Sequence, residues 1–445
     1  MTAIVAATPK PSTPANRWLI AFMGTLLQLC LGTVYAWSFF QNPLRDIYHW
    51  SNSQVAMTFS IAIVCLGLAA AWGGIHLAKY GPRKLAMTGG LLFGLGYLLA
   101  ALALYLESLP LLYLGYGVIG GIGLGLGYVT PIATAAKWFP DHKGLVTGMV
   151  VMGFGFGALL MSKVLAPNLV AMSKADPSEP GNYVFVFACL GVLFLVVTLP
   201  VAWMLRNPPA GYAPPGLAPP TTGGAAAAAA AAADSLTARQ CLLSGRFIGM
   251  WLMFFCNITA GIAIISFQSP LLQDLFKRLD ATLLPETLAA FGATLIAISS
   301  LFNGAGRFLW GGVSDRIGRI WAFRIMLGSQ ILVFGLLITA YHPWLFGALI
   351  CYVLLCYGGG FGTMPSFVLD VFGSRMMATV YGVILTAWAA AGIVGPQLVA
   401  LAKDACGTDT AKAAMYSFIM GAAFLALGLI LSFFLSNKPF SAAKA

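Results

Sequence analysis

Long apolar runs separated by short polar breaks dominate this chain from residue 18 onward. A helix that crosses a bilayer needs about 20 predominantly apolar residues. That window finds runs near 18–40, 55–77, 85–106, 110–136, 145–168 and 183–205, then 247–272, 290–312, 321–340, 344–368, 379–402 and 414–436. The pattern predicts an all-α membrane protein with twelve transmembrane helices. The longest break, 206–246, contains Pro208, Pro209, Pro214, Pro215, Pro219 and Pro220, followed by nine alanines from Ala225 to Ala233. Those prolines bar it from the membrane, and it divides the spans six and six. The expected organisation is a tail at 1–17, a six-helix bundle at 18–205, a Pro/Ala-rich linker at 206–246, a second bundle at 247–436 and a tail at 437–445.

Composition removes the main alternatives. Only 37 of 445 residues are charged, which is 8%, against roughly 25% in a soluble domain. A soluble chain of this size would lack the charge to cover its surface, and a disordered one would not be 60% hydrophobic. The net charge of +11 does not imply nucleic acid, because Lys and Arg sit in short separated loops rather than in one patch. The eight cysteines fall mostly inside apolar runs and form no CxxC pair, so neither a disulfide framework nor a metal site is expected. Gly115 to Gly120 fits GxGxxG, but no strand precedes it, and glycines inside apolar helices serve close packing. No cofactor is expected. The polar start, Met1 to Asn16, precedes an apolar run longer than a signal peptide's core, which reads as an uncleaved first helix.

Loop charges orient the spans, since Lys and Arg accumulate on the cytoplasmic side. With both termini cytoplasmic, sixteen basic residues fall inside and seven outside, and 24 are present. Only Arg307 is left over. Four acids fall inside and nine outside, and none is expected deep in the membrane. The chain also repeats itself. Gly73-Gly-Ile-His-Leu-Ala-Lys-Tyr-Gly-Pro-Arg-Lys after the second span is echoed by Gly311-Gly-Val-Ser-Asp-Arg-Ile-Gly-Arg after the eighth. Trp138-Phe139 to Gly148 is likewise echoed by Val371-Phe372 to Gly382. Two related six-helix halves form a transporter arrangement, with the site between them at mid-depth.

The motif from Gly311 to Arg319, with Asp315 and Arg316, resembles the signature of the major facilitator superfamily. The first copy departs from it with Ala78 in place of the aspartate. Four further segments are similar to the branch that holds bacterial oxalate/formate antiporters and monocarboxylate transporters. They are Asn16-Arg17-Trp18, Gly32-x-x-Tyr35-x-Trp37, Lys137-Trp138-Phe139-Pro140-Asp141-x-Lys143-Gly144-Leu145, and Phe302-Asn303-Gly304-x-x-Arg307-x-x-Trp310-Gly311. The resemblance implies that Asp315 and Arg316 latch helix ends on the cytoplasmic face.

Arg307 carries the sharpest chemical expectation. An arginine at a helix centre costs roughly 2.5–3.5 kcal/mol even on lenient insertion scales, so it should face the interior. No acid is expected within a span to pair with it. A guanidinium grips a carboxylate through two parallel hydrogen bonds, and the resemblance implies that role; the competing account is a structural arginine bonded to carbonyls. Asn303, four residues earlier, shares its helical face and either orients it, touches substrate or glues helices. The resemblance implies substrate contact for Tyr128 and Tyr35, against an interfacial-anchor account. Tyr357 and Phe361 share a face, as substrate-shaping or packing aromatics. Trp388 stands where the oxalate exchanger carries a second cation, and 379–401 contains no Lys, Arg or His.

A dianion facing Arg307 alone would leave one uncompensated charge in the membrane. The sequence therefore favours a small monocarboxylate of the lactate or pyruvate class, moved by alternating access. The resemblance implies proton coupling. Two alternatives remain open: anion exchange of the oxalate/formate type, and a transporter-like carboxylate sensor. No catalytic constellation can be assembled, so an enzyme is not expected. The expected setting is the cell's inner membrane, as a monomer.

Overall fold

In a computed structural model of the protein, the residues described are 16–139, 143–173, 180–209, 212, 236–340, 342–407 and 409–440. The expected tail at 1–15, most of the linker including Ala225–Ala233, and Asp141 lie outside them. Eleven helical stretches are long and apolar enough to cross a membrane. One of these, Asn52–Tyr105, is two helices, because Gly81 at φ 75° interrupts it. The twelve spans are α1 Arg17–Tyr48, α2 (52–80), α3 (82–105), α4 Leu109–Trp138, α5 Val146–Met172 and α6 Gly181–Met204. The second half comprises α7 Gly245–Leu279, α8 Pro285–Ile317, α9 Arg319–Thr339, α10 Pro343–Gly373, α11 Arg375–Cys406 and α12 Thr410–Ser432.

Local chemistry explains where the helices begin and turn. Ser51 caps α2 with a reciprocal box to Gln54, and Asn16 accepts from the amides of Trp18 and Leu19 at the start of α1. The repeated motif ends each time in a left-handed glycine, Gly81 at φ 75° and Gly318 at φ 89°. Only glycine takes that conformation without Cβ strain, so the echo in sequence is an echo of one tight turn. Within α1, residues Gly32–Ala36 tighten into a 3₁₀ turn that carries Tyr35.

The spans form two six-helix bundles that meet chiefly along α2 with α11 and α5 with α8. Glycines make this contact close. A methyl group on Gly155 of α5 would lie 2.5 Å from the Cα of Gly304 of α8, and one on Gly74 of α2 would lie 3.2 Å from the Cα of Gly382. In a membrane the lipid tails are as apolar as leucine, so such backbone approach, not hydrophobic exclusion, draws helices together.

At one end of the molecule the bundles are bonded to each other. Asp404 of α11 accepts from Asn52 Nδ2 at 3.2 Å and from the backbone amide of Ser53 at 3.1 Å, and also from the Ser53 hydroxyl. Asn42 donates to Gln273 at 3.0 Å, and Lys163 to Thr294 at 2.7 Å. The chain neighbours of Gln273 and Asp404 are joined too: Lys403 and Asp274 form an ion pair at 2.5 Å, with side chains 8% and 22% exposed. Asp274 therefore sits inside the helical part of α7 rather than in a loop, because that helix runs to Leu279. At the opposite end a cavity of about 600 Å³ lies between the bundles, bordered by Lys137 and Thr147 on one side and Asp315, Arg319, Asp370 and Met377 on the other. Hydrogen bonds join the bundles at the Asp404 end, and a cavity lies between them at the Arg319 end.

Breaking a largely buried ion pair strands one charge. Lys403→Met is expected to destabilise the protein by about 2 kcal/mol, discounting for the partial exposure of Asp274. The melting temperature in detergent should fall, and the double variant Lys403→Met/Asp274→Leu should recover most of the loss.

Candidate functional site

Arg307 lies about two-thirds of the way along α8 and is completely buried. Its Nε donates to Asn303 Oδ1 at 3.2 Å, one helical turn away. Its Nη1 reaches across to the first bundle, where the Tyr128 hydroxyl and the Val151 carbonyl each accept at 3.4 Å. Its Nη2 is buried without a hydrogen-bond partner. No described carboxylate pairs with it. The guanidinium carbon stands 4.9 Å from the Phe361 ring centroid in the second bundle and 5.4 Å from that of Phe154 in the first. Two aromatic faces thus hold a desolvated cation, an arrangement worth about 2 kcal/mol or more per contact when water is excluded.

The aromatic residues singled out in the sequence gather around this group. Tyr35 of α1 and Tyr357 of α10 share a hydrogen bond of 2.6 Å between their hydroxyls, which joins the bundles. Trp388 of α11 lies 4.7 Å from Phe361, 5.2 Å from Tyr128 and 5.7 Å from Phe154, centroid to centroid, all edge-on. Nη2 of Arg307 is buried without a partner, while Nε1 of Trp388 and Oη of Tyr381 approach the hydroxyls of Tyr357 and Tyr128 without a well-formed bond. A buried, unpaired guanidinium donor is costly and marks a place where an acceptor would be welcome.

Glycines of α10 position the two α8 side chains. A methyl group on Gly358 would lie 2.0 Å from the carbonyl oxygen of Asn303, and one on Gly362 the same distance from that of Arg307. The four-residue spacing on α10 matches the four-residue spacing on α8, so each polar residue seats its backbone in a notch. Gly261 performs a similar service for Tyr357, whose ring would lie 2.3 Å from an added methyl.

The family model for the Major Facilitator Superfamily matches residues 18–396. The chain belongs to the major facilitator superfamily. It is therefore a secondary transporter and not an enzyme. Among curated relatives it is 28% identical over 400 residues to the oxalate:formate antiporter of Oxalobacter formigenes, covering 89% of this chain and 87% of that one. It is 28% identical to apicoplast pyruvate carrier 1 of Toxoplasma gondii, covering 91% and 87%. It is 24% identical to mouse monocarboxylate transporter 11, covering 95% and 90%. Among solved structures it is similar in fold to the xylose transporter XylE of E. coli in a partially occluded inward-open conformation. The TM-score there is 0.66 at 15% identity, over 94% of this chain and 97% of that one.

The superfamily motif near Asp315 forms a cluster, with one member changed. Arg319 bonds Asp315 at 2.6 Å and Asp370 of α10 at 2.9 Å, and also reaches Ser314. Arg316, expected to act with Asp315, is exposed and makes no ion pair among the described residues. The helix ends at Ile317, and the turn at Gly318, φ 89°, carries Arg319 rather than Arg316 back to Asp315 and Asp370. Sequence reading also passed over Phe154, although its place between Gly153 and Gly155 marks a large ring flanked by close-packing positions.

Gly362→Ala is expected to force α8 and α10 apart and cost about 1–3 kcal/mol, the range for overpacking. Gly328→Ala, whose methyl would meet only Leu429 at 3.9 Å, should leave the melting temperature unchanged and serves as the control.

Proposed function

We propose that this transporter moves small monocarboxylates of the lactate or pyruvate class, with the carboxylate held by Arg307. The observation that carries this reading is a fully buried guanidinium with no carboxylate partner among the described residues and a free Nη2. A bound carboxylate would take two parallel bonds from it and cancel its charge. The Tyr128 hydroxyl, already at 3.4 Å from Nη1, would donate to the second oxygen. Tyr35, Tyr357, Phe361 and Trp388 would enclose the apolar end, and Asn303 would hold the guanidinium in register.

The choice of a monoanion rests on α11. Trp388 fills the position nearest Phe361 and Tyr128. The cations of that helix, Arg375 and Lys403, stand at its two ends, and Lys403 is paired with Asp274. A dicarboxylate would keep one negative charge in a low-dielectric site. The relatives divide between an oxalate:formate antiporter and pyruvate or monocarboxylate carriers, which makes anion exchange the second reading.

Alternating access follows from where the contacts lie. Arg307 belongs to one bundle and two of its acceptors to the other, so a ligand that replaces those acceptors changes what joins the halves. Loading neutralises the site and lowers the cost of sealing it, giving the ligand the differential affinity that a population shift requires. We read the Asp404 end as the outer one, both termini as cytoplasmic, and the protein as a monomer of the cell's inner membrane. Asp315, Arg319 and Asp370 would then latch the cytoplasmic ends of α8 and α10. The aromatic cluster contains no carboxylate, so a coupled proton would travel on the substrate or on water.

Uptake of labelled lactate and oxalate into proteoliposomes tests this directly. A pH gradient should drive lactate entry, whereas entry only against trans-loaded formate would favour exchange, and no uptake of any acid would favour sensing. Arg307→Ala should lower initial lactate uptake by at least about 100-fold, the loss of two charge-assisted bonds. Arg307→Lys should stay well below wild type, since an ammonium cannot form the two-pronged grip. Full uptake by Arg307→Ala would overturn the site. Trp388→Lys should gain oxalate uptake at the expense of lactate.

A further inference from the structure

We propose that a cavity at the junction of α1, α3 and α6 binds the phosphate headgroup of an anionic phospholipid. The cavity lies where three spans meet the membrane surface: α1 begins there at Arg17 beside Asn16, α3 begins after Gly81, and α6 ends at Met204. Its volume is about 240 Å³, and its charged lining residues are Arg83 and Arg206. Among the described residues no aspartate or glutamate borders it, and neither arginine is ion-paired.

The two cations are presented in a way that suits a phosphodiester. The Arg83 guanidinium lies 4.6 Å from the centroid of the Trp203 ring, and its Nε is buried without a hydrogen-bond partner. Ring stacking fixes the plane of the fork while leaving N–H groups unspent. The Arg206 backbone is held by the indole of Trp138, which donates to its carbonyl at 2.6 Å. A phosphate between two such guanidiniums accepts charge-assisted bonds from both. The helices that border the cavity continue into strongly exposed apolar side chains, Phe22 at 59% and Trp203 at 57%. Those side chains face the lipid tails, so a headgroup in the cavity has its acyl chains on the adjoining helix surface. Free phosphate shares the headgroup chemistry but would gain nothing from that flank, which is why the lipid is preferred. Basic pockets between spans at the membrane surface are known to hold such headgroups.

The full-length protein in nanodiscs provides the test. Replacing phosphatidylcholine with phosphatidylglycerol should raise the melting temperature, and native mass spectrometry should retain phosphatidylglycerol through delipidation. Arg83→Gln and Arg206→Gln should each weaken that retention about fivefold, from the roughly 1 kcal/mol contributed by one basic residue near an anionic surface. Arg206→Gln, at an exposed position, is the safeguard should Arg83→Gln fold poorly. Equal stability and retention in both lipids would overturn the proposal. So would millimolar inorganic phosphate reproducing the stabilisation in phosphatidylcholine, which would make the site one for free phosphate.

Discussion

A guanidinium that no described carboxylate neutralises, buried within α8, is the constraint around which the rest of this protein is arranged. It is tolerable in a bilayer only if protein groups replace water on every side. Asn303 supplies one acceptor from its own helix, Tyr128 and Val151 supply two from the opposite bundle, and Phe154 and Phe361 cover its faces. The glycines at 358 and 362 bring α10 close enough for Phe361 to reach it. Each of these choices is understandable once the charge is given, and none is needed without it.

The same constraint couples the site to the contact between bundles. Arg307 and Tyr357 belong to the second half, and their partners Tyr128 and Tyr35 to the first. Polar bonds at the centre therefore cross the surface along which the halves must move. At the Asp404 end those bonds are reinforced by two adjacent pairs of residues. Gln273 and Asp404 reach across to the first bundle, while Asp274 and Lys403, next to them in the chain, tie α7 to α11. An ion pair within one bundle thereby sets the register of two contacts between bundles. At the other end the charged cluster on Arg319 stays within the second bundle, beside the cavity. The asymmetry is chemical: the Asp404 end is bonded across, while the cluster on Arg319 lies within one bundle.

Much of the fold was legible in the chain because a bilayer is a severe and one-dimensional filter. Apolar runs of sufficient length, broken by charges and turn glycines, mark the spans whatever their neighbours. Arg307 was legible for the same reason, as the one cation left over when the others are assigned to the two membrane faces. Asn303 could be placed beside it by helical spacing alone. Phe154 was not legible, because an aromatic residue in an apolar span is indistinguishable by composition from one that faces lipid. Arg319 rather than Arg316 beside Asp315 depended on how the end of α8 meets the turn at Gly318.

By itself, then, the sequence determined which segments cross the membrane, the two-fold repetition of the chain and the identity of its one isolated charge, since these follow from local composition. Only the tertiary structure decided which rings cover that charge, that Asp274 and Lys403 pair, and which end of the interface is bonded. Those facts depend on contacts between residues such as 42 and 273, or 128 and 307. Such contacts are set by backbone approach at glycine-lined crossings, a three-dimensional property that no window along the chain contains.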